Sequence, residues 1–233
     1  MEEAPEPIFA LPPAPLALAV FVGPHGRGSN LMALHQATVD GRLPGVVSLV
    51  IGSRADAPAL QRAADAGLRT VVVPPLKDEA RYAERLQAAL SSVEVNTLAL
   101  AGYLRRLPSP IVEAFRYRVL NTHPALLPAF GGKGMYGEHV HRAVLAYGCK
   151  VSGCTVHFVD ETYDTGPIIV QRAVPVLPED TPETLASRIL PVEHDAFIEA
   201  LYLLANGRLR VQGRRVLLGE AVSPRSFSAT ESA

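Results

Sequence analysis

VLNTHPALLPAF (residues 119–130) starts as an apolar strand, carries an amide and an imidazole two positions apart, and is stopped by proline. In an extended segment residues i and i+2 point the same way, so Asn121 and His123 share a face. Pro124 favours an extended conformation for His123 and ends the strand where that face ends. Open α/β sheets bind ligands in the crevice beyond the carboxyl ends of their strands. A strand that turns polar only at that end therefore reads as part of a site.

Working outward, apolar runs recur through the first half: LALAVFV (16–22), GVVSLVIG (45–52), RTVVVP (69–74), NTLALAG (96–102) and RVLNTH (118–123). They are short, hydrophobic on both faces and separated by Ala-rich segments with helical spacing, which predicts a parallel sheet covered by helices. The helices are expected at 29–40, 57–66, 78–91 and 109–115, with turn signals such as Gly41 and Gly67 after them. Beyond residue 137 the pattern changes. A helix over 138–147 precedes two long strands, KVSGCTVHFVD and GPIIVQRAVPVL, whose tight ETYDT connection makes them antiparallel. A helical stretch over 181–205 follows, which Pro191 should bend or interrupt, and then a hairpin, RLRVQGRRVLL. The expected fold is one α/β, Rossmann-like, three-layer domain over 16–222, parallel in its first half and mixed with antiparallel strands in its second. Residues 1–15 are expected to form a mobile extension and 223–233 a flexible tail.

The 233 residues carry 22 Lys plus Arg against 23 Asp plus Glu. That balance offers neither nucleic acid nor membrane a surface. LALAVFV is far shorter than the roughly 20 residues of a bilayer span, and MEEAPEPIFALPPAP lacks the basic start of a secretory signal. Cys149 and Cys154 make a weak case for a disulfide. A cytoplasmic protein with two reduced thiols is expected.

Three loops follow strands and should converge on one sheet edge: GPHGRGSN, AGYLRRL and NTHPALLP. GPHGRGSNL (23–31) leads from a strand into a helix whose free amides and dipole suit a phosphate. Its G-x-x-G-x-G spacing matches neither the dinucleotide fingerprint nor a P-loop, so the alternative, a loop whose Ser29 caps the helix, stays open. GGKGMYGEHVHRAVL (131–145) reads as a flexible flap. His139 and His141, at i and i+2, would not share a helical face, and no zinc-like spacing accompanies them, so no metal is expected. HFVDETYDTGPII (157–169) holds three acids. Asp164, at the entry to an apolar strand, is the one held near the sheet edge. If it reaches His123, its charge should favour the imidazolium and raise that pKa. Glu193, by itself, is a helical acid.

Taken in order, HGRGSNL, AGYLRRL, LNTHPALLPAF, TVHFVDETYDTGPII and the Glu-His at 193–194 resemble the phosphoribosylglycinamide formyltransferase family, folate-dependent enzymes of purine synthesis. The resemblance runs from about residue 17 to 218. It implies catalytic roles for Asn121, His123 and Asp164, phosphate binding by the main chain of Gly28, Ser29 and Asn30, and an amine site at Glu193 beside Pro124. It implies a folate pocket lined by Leu104, Arg105, Arg106 and Leu107 with the loop residues Asp160, Glu161, Thr162 and Tyr163. The implied substrates are small molecules, glycinamide ribonucleotide and the formyl donor 10-formyltetrahydrofolate, used by a monomer or homodimer. Two departures concern binding. Glu79 stands where relatives commonly have Arg or Lys, for which Lys77 or Arg81 would have to substitute, and Leu190 stands where they often have a polar residue near the phosphate.

Amine attack on a formyl carbon produces an oxyanion while the amine becomes positive. The Asn121 amide and a protonated His123 can donate to that oxygen, each such donor being worth about 10² to 10³ in rate. His123 or a water held by Asp164 can carry the proton to the departing nitrogen, worth roughly 10² to 10⁴. Rival formyltransferases differ in architecture. One acting on initiator methionyl-tRNA carries a further carboxy-terminal domain and a basic surface, and a formyltetrahydrofolate deformylase carries a regulatory domain ahead of the catalytic one. A non-catalytic binder of phosphorylated sugars would leave the Asn-x-His pair unexplained.

Overall fold

The computed structural model describes residues 8–9 and 15–220. The mobile extension expected over 1–15 lies outside the described residues except for Ile8–Phe9 and Pro15, and the flexible tail expected over 223–233 lies wholly outside them. The first half is a run of strands and helices: β1 (Ile8–Phe9), β2 (Leu16–Val22), α1 (Ser29–Val39), β3 (Gly45–Gly52), α2 (Pro58–Asp65), β4 (Thr70–Val72), α3 (Glu79–Leu90), β5 (Thr97–Ala101), α4 (Ser109–Ala114) and β6 (Val119–His123). The second half adds α5 (Glu138–Tyr147), β7 (Val151–Phe158), β8 (Ile168–Pro175), α6 (Pro182–Ala205), β9 (Leu209–Gln212) and β10 (Arg215–Leu218).

Among the described residues these strands form one sheet in the order β1-β9-β10-β8-β7-β6-β5-β2-β3-β4. The block β4-β3-β2-β5-β6 is parallel throughout. β7 runs antiparallel to both β6 and β8, and β9 pairs antiparallel with β10 and with β1. From β2 the chain winds outward through β3 and β4, then returns to place β5 on the other side of β2. The crevice between β2 and β5 is thus a topological switch point, the position where such sheets bind ligands.

β2 shows why the sheet has two covers. All seven of its residues are buried. Leu18, Val20 and Val22 enter one apolar cluster with Leu31 and Leu34 of α1, Leu60 of α2, Val140 and Val144 of α5, and Phe197 and Leu201 of α6. Ala19 and Phe21 enter the opposite cluster with Tyr82, Leu86 and Leu90 of α3 and Ile111 and Val112 of α4. A strand that alternates between two cores must be apolar at every position, and each fully buried Leu, Val or Phe contributes about 1.5–3 kcal/mol. This is a three-layer α/β architecture, as the sequence predicts.

Two helix ends bear on the site. Asp78 caps α3 by accepting from the Arg81 N–H at 3.1 Å. Thr181 and Thr184 form a reciprocal capping box that starts α6 at Pro182. Pro191 lies inside α6, and the helix runs through it for 24 residues, so of the expected bend or interruption the interruption does not occur. The eleven buried residues of α6 hold both sides of the proline to the sheet, outweighing the lost hydrogen bond to the Ser187 carbonyl.

Candidate active site

The loops after β2, β5 and β6 meet at the carboxyl edge of the sheet. Gly23 and Gly102 approach so closely that a Cβ on Gly23 would lie 2.1 Å from the Gly102 carbonyl oxygen. Only glycine permits that crossing. Above it opens a cavity of about 700 Å³ whose wall includes Ser29, Leu104, Asn121, His123, Pro124 and Glu193. The Gly-rich segment from Gly132 to Gly137, expected to be a flap, forms another part of that wall. A second cavity of about 50 Å³ lies beside it, bordered by Arg105, Arg106, Leu107, Asp160 and Thr162. Both cavities share Tyr103, Asn121, Tyr163 and Asp164.

At the shared wall Asn121 and His123 project from β6 towards Asp164. His123 Nδ1 is 3.7 Å from Asp164 Oδ2, and the Asn121 amide donates to Asp164 Oδ1 at 3.5 Å. Oδ2 also accepts from the Gly132 N–H at 2.8 Å, tying the flap to the carboxylate. Asp164 holds a positive φ of 56°, a conformation that Asp tolerates better than most residues and that recurs at functional sites. Burial opposes its ionisation, but the His157 imidazole when it is protonated, the Gly132 N–H and the charge of a protonated His123 outweigh burial and hold its pKa below the ordinary carboxylate range.

His123 departs from expectation. Its side chain is 3% exposed, and burial, which disfavours the imidazolium, outweighs the opposing pull of Asp164 and of the Phe130 carbonyl. The pKa is therefore lowered, not raised. Nε2 lies 2.8 Å from the Phe130 carbonyl oxygen, which can only accept, so Nε2 carries the hydrogen. Nδ1, facing Asp164, is then the lone pair of a neutral ring. The residue is arranged to take a proton before it gives one.

Thr122 points to the other face of β6. Its hydroxyl donates to Glu193 Oε1 at 3.1 Å, and the Asn30 amide donates to the same oxygen at 2.9 Å. Glu193 is 8% exposed. Its burial raises the pKa against these two neutral donors. Asn30 Oδ1 is buried without a hydrogen-bond partner, and Asn30 does not line the cavity. Gly28, with φ 74°, is the N-cap of α1, and no side-chain bond caps that helix. Ser29 is therefore not the cap and stands at the cavity wall instead.

The remaining expected residues are tied together rather than loose. The Arg106 guanidinium donates to the Glu161 carbonyl at 3.0 Å, and the Arg106 N–H donates to the Tyr163 hydroxyl at 3.3 Å. Asp160 accepts from the Thr162 N–H and the Thr165 hydroxyl, which shapes the loop. Glu79 accepts from the Ser109 N–H at 3.1 Å and lies 3.8 Å from Arg106, so it braces the loop after β5. Leu190 lies on the large cavity's wall.

Residues 17–201 match the family model described as formyl transferase. The chain belongs to the formyl transferase family. It is 44% identical over 194 residues to a chloroplastic phosphoribosylglycinamide formyltransferase of Vigna unguiculata, covering 82% of this chain and 62% of that protein. The Arabidopsis thaliana counterpart is 43% identical over 196 residues, covering 83% of this chain and 66% of that one. The chain thus spans less than two-thirds of the length of these plant relatives. A crystal structure of glycinamide ribonucleotide transformylase 1 from Symbiobacterium toebii superposes with a TM-score of 0.81 at 43% identity, covering 87% of this chain and 93% of that one.

Within this formyl transferase, sequence reasoning missed two polar residues of the site. His157, 2% exposed on β7, sits opposite Asn121 in the antiparallel register. Thr122 lies between the two residues that were singled out. Their signal is the register itself: once β6 and β7 are paired, position 157 must face position 121.

Proposed function

We propose that the chain transfers the formyl group of 10-formyltetrahydrofolate to the primary amine of glycinamide ribonucleotide, a step of purine biosynthesis. The observation that carries the reading is the position of Asn121 and Asp164 in the wall common to two cavities. A group passing between two ligands has to cross that wall.

The large cavity suits the ribonucleotide. The start of α1 offers Ser29 and its unpaired amides to a phosphate. The side chains of Arg27 and Lys133, which border the same space and make no hydrogen bond or ion pair among the described residues, add positive charge. Glu193, on the wall of this cavity, offers an acceptor to the glycinamide amine. The smaller cavity, with Arg105, Arg106, Leu107 and Tyr163 on its border, is at about 50 Å³ a recess on the side assigned to the folate, and the bulk of that ligand lies outside it. The donor supplies an electrophilic formyl carbon when bound.

The protein's share of the chemistry follows from the geometry. The Asn121 amide donates to the formyl oxygen as it becomes negative, replacing its long contact to Asp164. His123 Nδ1 takes the proton of the attacking amine. The imidazolium so formed is stabilised by the ionised Asp164 at 3.7 Å and returns the proton to the departing nitrogen. Burial keeps His123 neutral beforehand, and the carboxylate supports it once charged. The cytoplasm is the compartment this reading assigns, in keeping with the free thiols Cys149 and Cys154.

The test is the absorbance change as 10-formyltetrahydrofolate loses its formyl group, with and without glycinamide ribonucleotide. Turnover that requires the ribonucleotide is expected. Equal loss of formyl without it would identify a hydrolase, and binding without turnover a non-catalytic protein; either result overturns the proposal.

A further inference from the structure

We infer that His157 is a positioning residue that fixes which end of the Asn121 amide faces the reacting carbon, an inference that rests on the formyl-transfer reading. An asparagine amide has two ends of nearly equal size, and a half-turn exchanges its donor for its acceptor. Only the NH2 end can meet a developing oxyanion. Shape alone does not choose between the two ends, so a neighbouring group has to.

His157 makes that choice through its tautomer. Its Nδ1 lies 2.7 Å from the Phe158 carbonyl oxygen, which only accepts, so Nδ1 carries the hydrogen. Nε2 then presents a lone pair, and Asn121 Nδ2 stands 3.0 Å from it. The amide donates and the imidazole accepts. Turning the amide over would set its oxygen against that lone pair and leave a buried acceptor unsatisfied. The contact of His157 Nε2 with Asp164 Oδ1, at 3.6 Å, is longer than a hydrogen bond and does not compete. One amide hydrogen is thus committed to His157. The other holds only the 3.5 Å contact to Asp164, which a formyl oxygen can displace. The antiparallel register places Asn121 opposite His157, so the backbone supplies the alignment on which this contact depends.

Two measurements on the full chain test the inference. A long-range proton–nitrogen correlation spectrum of the wild type, with His157 assigned by its loss in His157→Gln, is expected to show a protonated Nδ1 and an unprotonated Nε2. An Nε2-protonated ring overturns the inference whatever the activity. Kinetically, His157→Leu, which removes the acceptor, is expected to lower kcat by roughly 10- to 100-fold with KM for both substrates within about twofold. His157→Gln, whose side-chain oxygen can accept from the amide, is expected to recover a large part of that loss. Because His157 acts through Asn121, adding His157→Leu to Asn121→Ala is expected to change kcat little further. An undiminished kcat in His157→Leu, or a full extra loss in the double variant, overturns the inference. If the wild type itself transfers no formyl group, the proposed function fails while the spectrum still decides the orientation of the ring.

Discussion

The two carboxylates on either side of β6 are driven in opposite directions. Asp164 is pushed below the ordinary range and Glu193 above it, although both are largely buried and one strand separates their partners. The difference lies in what each carboxylate touches. Asp164 has a main-chain N–H, an amide and two imidazoles around it, groups that gain energy from a negative charge or can become positive. Glu193 has a hydroxyl and an amide on a single oxygen, which do not repay its desolvation. Environments that push two acids apart assign them different work: in the proposed reaction Asp164 supports proton movement, and Glu193 receives a ligand that brings its own hydrogens.

Asp164→Asn removes the charge and keeps the shape, and Asn tolerates the positive φ at that position. It is expected to fold and to lose about 10² to 10⁴ in kcat. Its residual activity carries a second signature. A rate that needs neutral His123 falls as pH drops through the His123 pKa, which burial holds below 6.5. Removing the one carboxylate that raises this pKa moves the acid limb to lower pH. A pH–rate profile checks this, and a limb that moves upward contradicts it. Asn121→Ala comes next, with an expected loss of about 10² to 10³ in kcat and little change in KM, measured by steady-state kinetics.

Much of this site is legible in the sequence because it depends on period and order. Asn121 and His123 share a face by strand periodicity alone, and the loops converge because each follows a parallel strand. Asp164 was identified by its place before an apolar strand. What depends on pairing register was not legible. His157 faces Asn121 only because β7 runs antiparallel to β6 in one register, and Thr122 meets Glu193 only once α6 covers that face of the sheet. The protonation state of His123 was read from a charge, whereas burial decides it.

On the other face of β6, Glu193→Gln tests the contrast more gently. The amide oxygen can still accept from Asn30 and Thr122, and no charge remains to be desolvated. Thermal stability at neutral pH is therefore expected to hold or rise, while KM for the ribonucleotide rises about tenfold, the equivalent of one charge-assisted hydrogen bond of roughly 1.4 kcal/mol. A fall in melting temperature with unchanged KM would give Glu193 a structural role only.

The smallest effect is in stability. His123, His141 and His194 all have pKa values lowered by burial. The unfolded chain takes up protons near 6.5 and the folded chain does not, so stability is full above that pH and is lost as pH falls through the folded values. Glu193, shifted the other way, opposes this. In the Glu193→Gln background the melting temperature is therefore expected to fall more steeply with falling pH than in the wild type. Each ~1 kcal/mol corresponds to about 2–4 °C in a chain of this size, so differential scanning calorimetry resolves the difference.

The most direct measurement is a carbon-13 titration of the side-chain carboxyls, with Asp164 and Glu193 assigned by their loss in Asp164→Asn and Glu193→Gln. Asp164 is expected to titrate below its ordinary 3.8 and Glu193 above its ordinary 4.5. Two carboxyls titrating together, or in the reverse order, would contradict the division of work across β6.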